Sequence, residues 1–372
     1  MINTFIYKIK YLIHVVLNYI EDRRKEHKRI SSMKGFDGKL TQFIINNSIP
    51  QLSKTETRNI QDYWKSLLNY KVSDQYYRIV NVNRSNHISF PLYQYISEST
   101  MYPNIIRHLN PLDASRVLEN KGLYGIYFEK FKRPLEIIKN IRGEFYDTNM
   151  HLINKVNALE KIMEYQKPII IKPIMETYGG RGIKILYSYT TEELKNTLNE
   201  FHQNFVIQEI IRQSEQTKQF NPTSLNTFRI VTLLLNGKLS VLSQAFRCGG
   251  KNATVDNAHS GGMFVGINSK GELSSATSHH TLTIHYSPTG LKFSDYKIHH
   301  FERILNFALA LHESLPSCAF AGWDIALDEN NKPVLIEVNL DTPGVWLLQV
   351  LNGPIFGDRF EEVIDYVFKR KE

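Results

Sequence analysis

The chain has almost no cysteine. Its 372 residues hold only Cys248 and Cys318, with no Cys-x-x-Cys pair. That excludes a disulfide framework and a thiolate zinc site, and it predicts a reducing, cytoplasmic setting. An uninterrupted apolar run of the roughly 20 residues needed to cross a bilayer is also lacking. There is no internal repeat, no low-complexity tract and no arginine-rich stripe with interleaved aromatics, so nucleic acid is not expected as a partner. The histidine pairs His279-His280 and His299-His300 do not have metal-site spacing on a helix face and read as surface residues. No glycine loop followed by Lys-Ser/Thr opens a helix, and no helix follows the glycines of the one Gly-rich loop, which excludes Walker and Rossmann nucleotide sites.

What is present is globular: 42% hydrophobic and 22% charged residues. Single cores stop growing at about 250 to 300 residues, so about two domains are expected. Lys plus Arg number 45 against 37 for Asp plus Glu, a formal net charge of +8 that suits anionic partners such as nucleotides, acidic glycans or lipid headgroups.

The amino-terminal segment Met1 to Ile20 is apolar and aromatic, but Lys8 and Lys10 interrupt it and no cleavage site follows. Wound as a helix, it gathers Thr4, Lys8, His14 and Asn18 on a narrow polar stripe, and Arg23, Arg24, Lys25, Lys28 and Arg29 come next. Two readings stay open: a helix lying on a membrane surface through residues 1–30, or one packed on protein. Residues 41–112 read as a helical lead-in, with Ile60, Trp64, Leu67 and Leu68 near one face of a helix over Lys54 to Tyr70. Pro91 and Pro111 punctuate its end.

The chemistry starts near residue 113. Ser115 to Phe131 has helical spacing and carries Lys121; a strand-like Leu135 to Ile141 follows. Then Pro168 to Ile171 reads as a buried strand ending in Lys172-Pro173, a loop brings Gly179, Gly180, Arg181 and Gly182, and an apolar strand from Ile183 to Tyr187 returns. Glycines let backbone N–H groups approach phosphate oxygens, and a lysine at the strand end supplies a point charge, although an ordinary hairpin would read the same way. Phe205 to Ile211 is a strand ending in Gln208 and Glu209. Asn226 to Leu235 is another, and its Arg229 needs either an anionic ligand or a structural partner such as Glu209. Near the carboxyl end, strands around Asp324 and Glu337 form a hairpin, and period 2 puts Glu337 and Asn339 on one face. Two carboxylates and an amide oxygen suit Mg²⁺ shared with nucleotide phosphates, while a salt-bridged set is the alternative.

Taken together, these elements resemble the ATP-grasp superfamily, in its order. SLNTFRIVT (Ser224 to Thr232), NAHSGGMFVGI (Asn257 to Ile267), GWDIAL and LIEVN bring the resemblance closer to its sugar-transfer-associated branch. It covers roughly residues 55 to 365. The resemblance implies an α+β ATP-grasp fold, two α+β subdomains gripping ATP behind a helical amino-terminal region. The corresponding division is 1–40, 41–112, 113–215 with the glycine flap, and 216–372 with the metal strands and acceptor loop. It implies that Lys121, Lys172 and the flap residues meet ATP phosphates, Gln208, Glu209 and Ile211 hold adenine, and Glu215 meets ribose. It further implies Mg²⁺ on Asp324, Glu337 and Asn339. Arg229 and Arg247 would stabilise the transferring phosphoryl group, and Lys251, His259 and Ser260 would stand on an acceptor loop. The activity implied is ADP-forming ligation of an amine, an amino acid or amino sugar, to a carboxylate-bearing sugar or glycan precursor, in surface polysaccharide (capsule) assembly in the cytoplasm or on the inner membrane face. A kinase of the same fold, or a non-catalytic nucleotide-binding module, is the alternative.

Overall fold

The computed structural model describes residues 35–84, 90–175, 182–251, 253 and 261–369, together with isolated positions between 16 and 31. Most of the amino-terminal amphipathic segment lies outside the described residues, as do Gly179, Gly180, Arg181, His259 and Ser260. Among the described residues no helix is long and apolar enough to cross a membrane.

Two antiparallel sheets of six strands each organise an α+β fold. The first contains β1 (Glu136–Ile141), β2 (Glu144–Tyr146), β3 (Leu152–Ile153), β4 (Ile169–Pro173), β5 (Lys184–Leu186) and β6 (Phe205–Glu209), in the order β3-β2-β1-β6-β4-β5. Helices Lys155–Tyr165 and Thr191–Phe201 cover one of its faces, where Ile169, Ile171, Phe205 and Ile207 meet Leu159, Ile162, Leu194 and Leu198. Both helices begin where a side chain replaces the missing intrahelical acceptor: Asn154 accepts from Asn157, and Thr190 with Glu193 forms a reciprocal box. Period 2 then turns Val206, Gln208 and Lys172 to the opposite face. In the register of β1, β6 and β4, Lys139 and Lys172 flank Val206.

The second sheet contains β7 (Thr227–Leu235), β8 (Lys238–Cys248), β9 (Met263–Ile267), β10 (Leu273–Thr277), β11 (Phe320–Leu327) and β12 (Pro333–Asn339), in the order β10-β9-β8-β7-β11-β12. Strands β7 and β8 join through Asn236-Gly237, both at positive φ (51° and 72°), the dipeptide suited to a two-residue hairpin turn. Both faces are covered. Helix Phe301–Glu313 packs on the face of Phe228, Ile230, Trp323 and Ile325. The other face, with Val231, Leu233, Ala245 and Phe264, meets helices Phe36–Asn46, Lys54–Leu68 and Gln75–Asn83 and the short helix Trp346–Asn352. The Lys54–Leu68 helix forms over the expected residues because Ser53 and Glu56 make a capping box and Asn69 closes it in the left-handed region. It buries Ile60 and Trp64.

Lys121 departs from its expected place on a continuous helix. The Leu112–Leu118 helix stops, Asn120 accepts from the Gly122 N–H, and Lys121 opens a three-residue 3₁₀ turn before Tyr124–Tyr127. Its own N–H is given to the Ile174 carbonyl (2.8 Å), which ties this turn to the first sheet. His279 is likewise not a plain surface residue, since its ring lies 5.3 Å from that of Trp346.

Asn110 joins the lead-in to the second sheet. Its amide donates to the Phe320 and Leu340 carbonyls (2.6 and 2.7 Å) and accepts from the Phe320 N–H (2.9 Å), all buried. Asn110→Ala is expected to lower unfolding free energy by roughly 3 kcal/mol in a urea titration, because three buried backbone groups lose their partner.

Candidate active site

The face of the second sheet that carries Asp324 is set by register. Asp324 lies opposite Arg229 on β7 and opposite Glu337 on β12, and Gly322 lies opposite Asn339. Arg229 pairs with Ala245 on β8, which puts Arg247, two residues on, on the same face.

Asp324 is the buried centre of this set. Arg229 donates from Nε to Oδ1 at 2.6 Å and from Nη2 to Oδ2 at 3.1 Å, and Arg247 Nη1 donates to Oδ2 at 2.6 Å. Burial would raise the carboxyl, but the two guanidiniums overcome it and hold it at about 2. The structural partner of Arg229 is therefore Asp324, not Glu209, whose carboxylate instead accepts from the Leu135 N–H at 3.0 Å. Arg229 also donates to the Pro343 carbonyl. Behind it, buried Glu98 accepts from the N–H groups of Val345 and Trp346, and burial pushes its carboxyl up.

The first sheet, through Lys172 and the Lys121 turn tied to it, approaches the second at Glu337. Lys121 Nζ lies 2.5 Å from Glu337 Oε1. Lys172, on β4, is close enough to both to feel them: burial lowers its ammonium first, Lys121 adds to that, Glu337 opposes it, and the result is about 8. Four cationic side chains and two carboxylates thus face one another across this seam.

The residues fit a hard divalent cation in donor type, with Asp324, Glu337 and Asn339 on paired strands. Asp324 is fully engaged by guanidiniums, however, and the Asn339 amide donates to the Gly322 carbonyl at 3.3 Å. Among the described residues no group of three His, Cys, Asp or Glu side chains could hold a metal by itself. A cation here would draw further oxygens from a ligand and would compete with Lys121 for Glu337.

Next to the end of β6, a cavity of about 480 Å³ is lined by Glu209, Ile210 and Ile211 together with Tyr165, Lys167 and Tyr187. Gln208 is buried in β6. Glu215 is not part of this lining; its carboxylate is exposed and pairs with Lys218 at 2.8 Å. Gly182 is at positive φ, against the ring of Pro173. Lys251 is exposed in the turn after Gly250, whose carbonyl accepts from Asn221 at 2.8 Å. The sequence reading missed Tyr165, Lys167 and Tyr187, whose only signal was their position beside strands already singled out. It also missed Glu98 and Pro343, whose closeness to Arg229 arises from contacts over 100 residues apart.

A family model described as sugar-transfer associated ATP-grasp matches residues 101–364. Solved structures similar to the chain include D-alanyl-alanine synthetase A from Vibrio cholerae O1 biovar eltor str. N16961, at 10% identity and TM-score 0.43 over 70% of this chain and 67% of that one. D-alanine–D-alanine ligase from Bacillus anthracis complexed with ATP is similar at 16% identity and TM-score 0.38, over 70% and 66%. L-amino acid ligase from Bacillus licheniformis follows at 12% identity and TM-score 0.39, over 76% and 59%. The chain thus spans 59 to 67% of the length of these three enzymes. No curated protein matches.

Removing the Asp324 charge takes away the carboxylate that two buried guanidiniums share. Asp324→Asn is expected to cost about 3 to 5 kcal/mol in denaturant unfolding. Glu337→Gln, which breaks a pair still partly open to solvent, is expected to cost about 1 kcal/mol or less. Equal losses in the two variants would contradict this ranking.

Proposed function

The chain belongs to the sugar-transfer associated ATP-grasp family, and from that premise we propose that it is an ATP- and Mg²⁺-dependent carboxylate–amine ligase acting on a sugar or glycan precursor. The observation that carries the reading is the seam itself. Arg229 and Arg247 on the second sheet, Lys172 on the first and Lys121 on the turn tied to it stand around Asp324 and Glu337. A polyphosphate would meet several cationic groups there.

In this reading the cavity beside Glu209 to Ile211 takes the adenine, and Tyr165 and Tyr187 supply apolar ring surface to it. Lys121, Lys172 and the flap of Gly179, Gly180, Arg181 and Gly182 hold the phosphates. Asp324, Glu337 and Asn339 would hold Mg²⁺, which neutralises phosphate charge when bound. Arg229 and Arg247 face the γ-phosphoryl group. A carboxylate oxygen of the sugar attacks it, ADP leaves, and the acylphosphate keeps the phosphoryl group. The amine then attacks the acyl carbon, an amide bond forms and inorganic phosphate leaves with the carboxylate oxygen. Arg247 begins the segment that leads to Lys251, His259 and Ser260, which would orient the acceptor, and Glu215 would reach the ribose after domain closure. Residues 1–30 would place the enzyme on the inner membrane face.

The oxygen bookkeeping tests the reaction. With a uronic acid labelled with ¹⁸O in its carboxylate, an amino acid and Mg·ATP, the ligase reading expects one label in the released phosphate. A phosphorylated sugar without released phosphate would mean a kinase, and no turnover with any uronic acid and amine pair would remove the ligase reading.

Lys172 gives nucleotide binding a pH dependence. Its folded-state value lies below the usual 10.5, so the free protein holds less charge there as pH rises through about 8. Bound phosphate favours the ammonium, so ATP affinity is expected to fall above pH 8, by up to tenfold per pH unit, in calorimetric titrations between pH 6.5 and 9.5. Lys172→Met is expected to bind weakly at every pH without that slope. The same linkage makes the ligand-free protein more stable, by this group's contribution, as pH rises from about 8 toward 10.5.

A further inference from the structure

A second cavity, about 940 Å³, opens where β8 parts from the β9–β10 hairpin, with the end of helix Trp346–Asn352 beside it. We propose that it is a saccharide-binding site separate from the nucleotide cleft. It deepens the ligase reading by assigning the glycan its own subsite, and it rests on that reading only for the glycan's role.

The lining is mostly uncharged and rich in hydrogen-bonding groups. Asn352 donates to Ser243 Oγ (3.0 Å) and to the Gln244 carbonyl (2.7 Å). Gln244 spends its N–H on the Ile267 carbonyl at 3.2 Å, and its amide oxygen accepts from no described residue. Ser274 is exposed and carries a hydroxyl that likewise bonds to no described residue; it lies over Gly266, where an added Cβ would stand 2.2 Å from its Oγ.

The charges on the rim are largely satisfied within the protein. Glu272 accepts from Asn268 at 2.7 Å, and Asp295 has Ser294 at 3.3 Å and Lys292 at 3.9 Å. One lysine, Lys297, lines the cavity and bridges to Glu272 through the backbone. A polyphosphate or nucleic acid would need unpaired cations, and an apolar ligand would strand the amide and hydroxyl groups. A polyhydroxylated ligand satisfies them. Ser243 and Arg247 are four residues apart on the same face of β8, roughly 13 Å along the strand. At the helix, Pro343 bonds to Arg229 just ahead of its start, and Asn352 stands at its far end. A glycan gripped here is therefore one short span from the guanidiniums.

The test uses the full-length chain, fluorescently labelled, on a printed array of neutral, N-acetylated and uronic saccharides, with and without saturating Mg·ATP. Any retained saccharide is then titrated calorimetrically. The expected result is saccharide binding without nucleotide that weakens at least tenfold in Gly266→Val and in Gln244→Ala/Ser274→Ala, while ATP affinity of the double variant stays unchanged. The double variant leaves the strand backbone alone and keeps the test sound if Gly266→Val does not fold. No retained saccharide, or binding untouched by the double variant, would overturn the proposal. ATP binding that fails while saccharide binding persists would sink the ligase reading and leave the groove standing; the reverse would do the opposite.

Discussion

The second sheet is organised around a single buried carboxylate. Asp324 is shared by Arg229 from β7 and Arg247 from β8, so one anion fixes the relative positions of three strands on the face where the cleft begins. Burying two guanidiniums is costly by several kcal/mol per ion unless their charge is met, and a single carboxylate meets it only in part. The remainder is compensated by what surrounds the pair: the Pro343 carbonyl, Glu98 behind Arg229 and, when present, an anionic ligand. The 343–346 turn is tied to this arrangement through the Pro343 carbonyl and through Glu98, which holds the Val345 and Trp346 N–H groups.

Much of the architecture was legible because strand pattern is local. The strands around Arg229, Asp324 and Glu337 fell where alternation and the Asp328 to Lys332 turn put them, within a residue or two at each end. Pairing of Asp324 with Glu337 followed from the hairpin. Helical spacing served well over Lys54 to Leu68 and poorly over Ser115 to Phe131. In the second case Asn120 caps its own backbone at Gly122, a side-chain bond that periodicity does not register.

The site was legible in residue type more than in partnership. A sequence shows that Arg229 needs an anion but not that Asp324, 95 residues on, is nearer than Glu209. The carboxylates drawn together as metal ligands are in the same places, yet each is held by protein cations: Asp324 by two arginines, Glu337 by Lys121. Of the two readings of the acids, the salt-bridged set is the one these contacts describe, and a metal would have to displace the cations from them. The order of the motifs likewise does not show that the Glu215 carboxylate turns to solvent and Lys218.

The depressed amine of Lys172 has a chemical side. An amine that releases its proton near pH 8 is neutral about a tenth of the time at pH 7, far more than an ordinary lysine, and then has a lone pair to react with. Activated acyl groups react with such amines. Such an amine is more open to acylation or carbamylation than an ordinary lysine. An anion bound beside Lys172 would return the proton and shield the residue from electrophiles.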